Sequence, residues 1–230
     1  MNAQSAINDN KSTTDSPTIP YSFIAIEGNI GAGKTTFCEL IAAEMNCHLI
    51  LEQFTDNPFL PLFYEQPDRY AFPVELFFMT ERHKQLQEAR ADADIFTPLS
   101  IADYFFIKTL LFAKNNLNVE EFRLFQRLFD VLNSTYKKPE LLVYLHRSVD
   151  NLMVNIRKRG RTYETDISAG YLTEIQNGYF DYFRTETTLP ILIVDVEGVD
   201  FVADKAHFEQ LKTLLFKPYS VGIHRVKLGS

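Results

Sequence analysis

The chain has 230 residues, 46% of them apolar, enough to build one well-buried core of ordinary domain size. Its formal charge of −7, from 23 basic and 30 acidic residues, disfavours a nucleic-acid surface, so any positive site has to be local. Two cysteines, Cys38 and Cys47, are too few for a disulfide framework and read as reduced thiols of a cytoplasmic protein, and no apolar run approaches the ~20 residues of a membrane span.

Met1 to about Pro20 is rich in Ser, Thr, Asn and Asp without periodicity and is expected to be a disordered leader. From Tyr21 onward short apolar runs alternate with longer amphipathic ones, the pattern of a parallel sheet with crossover helices, and no linker divides residues 21–216. The first strand, Phe23 to Ile26, ends in Glu27. It runs into Gly28-Asn29-Ile30-Gly31-Ala32-Gly33-Lys34-Thr35-Thr36 and then the helical pattern of Phe37 to Ile41. This is G-x-x-x-x-G-K-[ST] between a strand and a helix, the setting of a P-loop. Its glycines let the backbone fold around phosphates, and its amides form an anion nest at a helix N-terminus. Lys34 brings a charge to the outer phosphates and Thr35 a hydroxyl for Mg²⁺, so a nucleoside triphosphate is the expected ligand.

A second strand, 47–51, ends at Glu52, and Asp56-Asn57-Pro58 opens a short aromatic helix from Leu60 to Gln66. Pro67-Asp68 is expected to break it before a long helix, about Tyr70 to Ala91, that carries Glu75 and Arg82. Residues 98–102 form a third strand ending at Asp103. Two apolar-striped helices follow, Phe105 to Lys114 and Val119 to Tyr136. Leu141 to Leu145 is a fourth strand, apolar throughout and therefore buried on both faces. A helix from Val149 leads into Arg157-Lys158-Arg159-Gly160-Arg161, and another spans about Ala169 to Arg184. Ile191 to Asp195 is a fifth strand, Phe201 to Phe216 a last helix, and residues 217–230 an irregular C-terminal tail. The expected architecture is a three-layer α/β fold: a five-stranded parallel sheet, helices on both faces, and an Arg-rich lid.

Ligands of such sheets sit outside the carboxyl ends of the strands, where the P-loop, Glu52, Asp103 and the Asp195–Asp200 segment all fall. Phosphoryl transfer needs a carboxylate for the acceptor's proton, a metal shell and cations on the transferred group. Glu52 is the candidate for the proton. Thr35, Glu52 and Asp103 are candidates for the metal, although an Asp at that place is equally a helix N-cap. Arg157, Arg159 and Arg161 are candidates for the clamp, where a solvated charge run is the ordinary alternative. Phe54, Tyr64, Phe72 and Phe78 flank the acceptor side and are candidates to sandwich a nucleobase. His48, His83, His146, His207 and His224 show no metal-ligand spacing.

From about Tyr21 to Asp204 these motifs resemble the deoxynucleoside kinase family, P-loop enzymes that use ATP and Mg²⁺ to phosphorylate a deoxyribonucleoside at its 5′-hydroxyl. Glu52 matches the family's general base. The segment Asp56 to Tyr64 resembles bacterial purine-type members, with Tyr64 in the place of the Tyr that bonds the sugar 3′-hydroxyl. Tyr70-Ala71-Phe72-Pro73-Val74-Glu75 matches the aromatic-rich Y/W-x-F-x-x-Q run, and Arg82 an Arg near the base. Arg157 to Glu164 matches the lid R-x-R-G-R-x-x-E, whose arginines grip phosphates and whose Glu, here Glu164, bonds the 3′-hydroxyl. Asp195 to Phe201 resembles the loop over the donor adenine, bringing Asp200 and Phe201 to ATP. The resemblance implies Lys34, Glu52 and Arg159 as the catalytic groups. It also implies a homodimer through the helices of the Glu75 and Phe105 region.

Two departures carry expectations of their own. The family's base-reading Gln is Glu75 here, and an ionised carboxylate only accepts hydrogen bonds, which fits the adjacent donors of guanine and favours deoxyguanosine over deoxyadenosine. Where the family has Asp/Glu-Arg-Ser after the third strand, this chain reads Asp103-Tyr104-Phe105. Lys108, about one helical turn beyond Tyr104, is the candidate to restore the missing cation. Two other readings stay open: a nucleoside monophosphate kinase of thymidylate type, and a nucleotide-binding module with impaired catalysis.

Overall fold

The computed structural model describes residues 19–52, 57–91, 99–161, 164 and 166–229. All but the last two residues of the expected leader, and Phe54, lie outside that range. The strands are β1 (Phe23–Gly28), β2 (His48–Ile50), β3 (Ser100–Ala102), β4 (Leu141–His146), β5 (Pro190–Asp195) and β6 (Gly222–Lys227). The helices are α1 (Lys34–Glu44), α2 (Leu60–Glu65), α3 (Pro67–Ala91), α4 (Ile107–Asn116), α5 (Val119–Asn133), α6 (Val149–Arg159), α7 (Ala169–Thr185) and α8 (Lys205–Leu214).

The sheet order is β2-β3-β1-β4-β5-β6, every neighbouring pair parallel. The chain fills one side of β1 with β2 and β3, then resumes on the other side with β4. The carboxyl end of β1 is therefore a topological switch point, where a crevice opens. Six strands replace the expected five, because residues 222–227 of the supposed tail pair with β5, Ile223 opposite Ile191 and Arg225 opposite Ile193. An edge strand needs few apolar side chains. β6 offers His224, Arg225 and Lys227 along an outer rim that such charges protect from further pairing, so it has no apolar run to betray it.

The continuous apolar strand β4 sits at the centre and is 0% exposed from Leu141 to Leu145. Its side chains alternate: Leu141, Val143 and Leu145 pack toward α1, α6 and α8, while Leu142 and Tyr144 pack toward α4, α5 and α7. Each fully buried Leu or Phe in these layers contributes about 1.5–3 kcal/mol. Pro67 opens α3 instead of merely ending α2, because its missing N–H is harmless at a first helical position. α8 starts later than expected, with the Asp204 carboxylate accepting from the Ala206 N–H at 2.8 Å.

Part of the apolar surface of this region is covered within the chain: Phe72 of α3 meets Phe125 of α5 at 6.4 Å, and Phe106, just before α4, stacks on Phe129 at 5.1 Å, while Phe77 and Leu111 stay half-buried. An exposed apolar row lies on α5, at Leu124, Leu128 and Val131.

Candidate active site

The loop after β1 is shaped by glycine and tied to two helices. Gly33 has φ 94°, and a Cβ there would stand 2.9 Å from the Phe201 ring, so both conformation and space require glycine. Asn29 Nδ2 donates to the Leu172 carbonyl of α7 at 2.7 Å, and Asn155 Nδ2 of α6 donates to the Gly31 carbonyl at 2.9 Å. Lys34 Nζ donates to the carbonyls of Gly28 (2.9 Å) and Asn29 (3.0 Å). Burial, and next the charge of Lys108, bring the Lys34 ammonium down to about 8.

A chain of contacts leads from the P-loop to the end of β2. Thr35 Oγ1 donates to Asp103 Oδ2 at 2.5 Å, and Asp103 Oδ1 accepts the Glu52 backbone N–H at 2.7 Å. Asp103 is buried and forms no ion pair among the described residues. Burial first, and the neighbouring Glu52 second, push its carboxyl up. Glu52 Oε1 accepts from Arg82 Nε (2.8 Å) and Nη2 (2.5 Å), and Oε2 from Lys108 Nζ (2.5 Å). Burial works to raise the Glu52 carboxyl, but the charges of Lys108 and Arg82 outweigh it and hold it well below the usual carboxylate range. Arg82 Nη1 is fixed in turn by Thr109 Oγ1 at 2.8 Å.

Tyr104, at the place of the family's Arg, is wholly buried among Ile50 and Ala102, its hydroxyl 3.4 Å from the Arg82 carbonyl. It does not line the cleft described below. Lys108, four residues on, does reach the site.

Glu52, Arg82, Lys108 and Asp103 line one cleft together with Tyr64, Glu75, Asn116, Tyr171 and the lid residues Arg159, Arg161 and Glu164, with Phe78 and Phe112 as its aromatic walls. Glu164 is buried and accepts from Arg159 Nε at 3.0 Å, from Arg159 Nη2, and from Arg161 Nη1 at 3.4 Å. A second cleft continues along residues 31–36 to Arg147, Lys158, Asp200 and Phe201. Asp200 Oδ1 accepts from the backbone N–H groups of Val202 (3.0 Å) and Ala203 (2.9 Å), which draw its carboxyl down. Phe201 meets Phe37 edge-on at 5.8 Å.

Of the residues singled out in the sequence, Arg157 is not brought in: it is exposed on α6, and its neighbour Lys158 lines the second cleft instead. Phe72 faces the core, and Phe54 lies outside the described residues.

Several residues escaped sequence reasoning. Glu27 is 0% exposed, and its carboxylate accepts from the Phe105 N–H (2.6 Å) and the Tyr179 hydroxyl (2.8 Å), tying β1 to the β3–α4 junction and α7. A Glu closing an apolar strand is itself a signal, because an unpaired buried carboxylate is costly. Arg147 donates to the carbonyls of Val196 and Val199 at 2.8 Å each, fixing the loop that carries Asp200 and Phe201. Asn116, Thr109 and Tyr171 sit in ordinary amphipathic helices and gave no sign.

A nest of P-loop amides at the switch point of a parallel sheet, with charged groups converging on a carboxylate beside it, is the construction of a P-loop phosphotransferase. The family model described as deoxynucleoside kinase matches residues 24–217. The chain belongs to that family: it is a deoxynucleoside kinase.

Among its relatives, the deoxyguanosine kinase of Bacillus subtilis (strain 168) is 33% identical over 196 residues, covering 82% of this chain and 93% of that one. The deoxyadenosine kinase of Lactobacillus acidophilus is 28% identical over 214 residues, covering 86% and 97%. The solved structure of deoxyadenosine kinase from M. mycoides with bound dATP superposes with a TM-score of 0.73 at 23% identity over 85% of this chain and all of that one, a likeness of fold. No described helix is long and apolar enough to cross a membrane.

Proposed function

We propose that the enzyme transfers the γ-phosphoryl group of ATP to the 5′-hydroxyl of a purine deoxynucleoside, with deoxyguanosine favoured over deoxyadenosine. The observation that carries the reading is the unbroken path Thr35–Asp103–Glu52–Arg82/Lys108, which joins the phosphate-binding loop to a carboxylate in the adjoining cleft. It gives one pocket for the donor's phosphates and one for a hydroxyl acceptor, with a proton-accepting group between them.

The P-loop amides and Lys34 would hold the donor's outer phosphates. Thr35 Oγ1 and the Asp103 carboxylate are hard oxygen donors side by side, and the buried Asp103 has no cationic hydrogen-bond partner among the described residues, so the pair fits Mg²⁺, with Glu52 beside it. When bound, Mg²⁺ neutralises charge on the transferring phosphates. Glu52 aligns the 5′-hydroxyl. As the bond from its oxygen to phosphorus forms and the bond to the β-phosphate oxygen breaks, the hydroxyl proton passes to the Glu52 carboxylate. A carboxylate so strongly held by cations is a weak base, which suits a loose transition state in which the proton leaves late.

Lys108 and the lid residues Arg159 and Arg161 supply the surrounding positive charge, Lys108 in place of the family's Arg. Its presence at Glu52 argues against an impaired module. Phe78 and Phe112 flank the base, Tyr64 and Glu164 take the 3′-hydroxyl, and Asp200 and Phe201 border the donor adenine. Glu75, with one carboxylate oxygen unpaired among the described residues, supports the guanine preference. A cytoplasmic homodimer is the form we propose, and the row Leu124, Leu128, Val131 supports α5 as part of the shared face.

The test is ADP formation from ATP and Mg²⁺ with each of the four deoxynucleosides. At pH 8 deoxyguanosine should give the highest kcat/KM. Equal or better use of deoxyadenosine at pH 8 would refute the preference, and no turnover with any of them would refute the acceptor class.

A further inference from the structure

The buried Glu75 carboxyl takes no part in the phosphoryl transfer, yet it lines the acceptor cleft and is only 2% exposed. Its two oxygens are in different situations. Oε1 accepts from Asn116 Nδ2 at 2.6 Å, and the same amide group also lies 3.2 Å from the Tyr171 hydroxyl. Oε2 has no hydrogen-bond partner among the described residues, although it is buried. Asn116 is held in this sense by Asn115, whose Nδ2 donates to Asn116 Oδ1 at 3.1 Å. Because Asn116 presents donors to Glu75, Oε1 remains an acceptor whether or not the carboxyl carries a proton. A proton, when present, resides on Oε2, the oxygen left for a ligand.

We infer that Glu75 and Asn116 form a two-state base reader, in which ionised Glu75 selects guanine and Glu75 protonated at Oε2 selects adenine. The inference rests on the purine-deoxynucleoside reading above and adds to it what sets the choice between purines. Guanine offers two adjacent donors, N1–H and the N2 amino group, which a carboxylate meets with acceptors alone. Adenine offers an acceptor, N1, beside the N6 amino donor. A carboxylic acid meets that pair by donating from Oε2–H to N1 and accepting the amino hydrogen on Oε1. In each wrong combination a buried donor faces a donor or an acceptor faces an acceptor, the arrangement that discriminates most strongly in closed sites.

The charged and titratable groups around Glu75 come from every neighbouring element: Arg82 from its own helix, Lys108 from α4, Glu52 from the end of β2, Tyr171 from α7 and Tyr64 from α2, with Arg159, Arg161 and Glu164 of the lid on the same cleft. Burial raises the Glu75 carboxyl, outweighing the lowering by Arg82 and the Asn116 hydrogen bond, to about 7. Both forms are therefore populated near neutral pH.

The experiment measures kcat/KM for deoxyguanosine and deoxyadenosine from pH 6 to 8 in the whole enzyme with ATP and Mg²⁺, and takes their ratio at each pH. Titrations common to both substrates, including those of ATP, Lys34 and Glu52, cancel in that ratio. It should rise ~10-fold per pH unit, as a single proton requires. Glu75→Gln should favour deoxyadenosine with no pH dependence of the ratio, since an amide donates and accepts at any pH. Asn116→Leu removes a hydrogen bond that lowers the Glu75 carboxyl, so the pH at which the two substrates are used equally should move up.

Calorimetry in buffers of different ionisation enthalpy gives a second readout, independent of turnover. At pH 7 binding of deoxyguanosine should release about half a proton per site and binding of deoxyadenosine take up about half. A ratio that is flat with pH in the wild-type enzyme, or a slope that persists in Glu75→Gln, would overturn the two-state reader while leaving the kinase reading standing. Failure to phosphorylate either purine at any pH would overturn both.

Discussion

The two ends of the acceptor cleft are built in opposite ways. At the phosphate end every charged group is committed: Glu52 is held by Arg82 and Lys108, Arg82 by Thr109, and Asp103 by Thr35 and the Glu52 amide. At the base end one buried carboxylate oxygen of Glu75 has no partner among the described residues. A cross-linked site fixes geometry and is costly to alter, because removing one member leaves another charge buried and unpaired. An end with a free acceptor is cheap to alter and sensitive to a proton. Rate should therefore belong to the first end and choice of base to the second.

The largest effect is expected at the phosphate end. Glu52→Gln keeps the shape of the side chain but removes the proton acceptor, and kcat should fall about 10²–10⁴-fold. Steady-state kinetics with deoxyguanosine checks it; a loss under tenfold would separate Glu52 from the chemistry. Lys108→Met should lower kcat by about 10²-fold with little change in KM, and Lys108→Arg should recover part of the loss. Removing that cation also frees the Glu52 carboxyl from its main depressor, so the acid limb of the kcat profile should move to higher pH in Lys108→Met.

At the base end the sharper effect is on stability. The folded-state value of Glu75, about 7, lies above its ordinary 4.5, so the folded protein without ligand holds this proton more tightly than the unfolded chain. Its contribution is present in full below about pH 4.5 and is lost as pH rises through 7. Glu75→Gln should remove that loss, an effect of about 3 kcal/mol at pH 8. Urea unfolding of both proteins at pH 5.5 and pH 8 tests this. A wild-type stability no lower at pH 8, relative to the variant, would mean the carboxyl is not destabilised by burial. The smallest effect is expected for Arg157→Ala, whose side chain is exposed outside both clefts. Turnover should stay within about twofold, whereas Arg159→Ala should lose tenfold or more.

The same contrast shows how much could be read from the chain. The P-loop, Glu52 and Asp103 were legible because strand ends and glycine spacing are local features, and the lid was legible as a charge run around a glycine. Lys108 was legible only as a guess at helical spacing. That Tyr104 turns inward and leaves Lys108 to meet Glu52 depends on how α4 leaves β3. Asn116 was invisible, since a polar residue at the end of an amphipathic helix has the same pattern whether it faces water or a ligand. β6 was missed because an edge strand needs no apolar run, and Phe72 was misplaced because aromatic spacing alone does not tell core from cleft.

The division between the two ends is tested most directly by measuring kcat/KM for deoxyguanosine and deoxyadenosine at pH 7.5 in Glu75→Gln and in the double variant Glu52→Gln/Glu75→Gln, a background in which the charge of Glu52 cannot act on the ratio through a titrating group at position 75. Both values should fall together in the double variant, by at least 10²-fold, with their ratio unchanged. If Glu52→Gln instead shifts the ratio, or leaves either rate intact, Glu52 takes part in choosing the base and the separation of rate from choice is wrong.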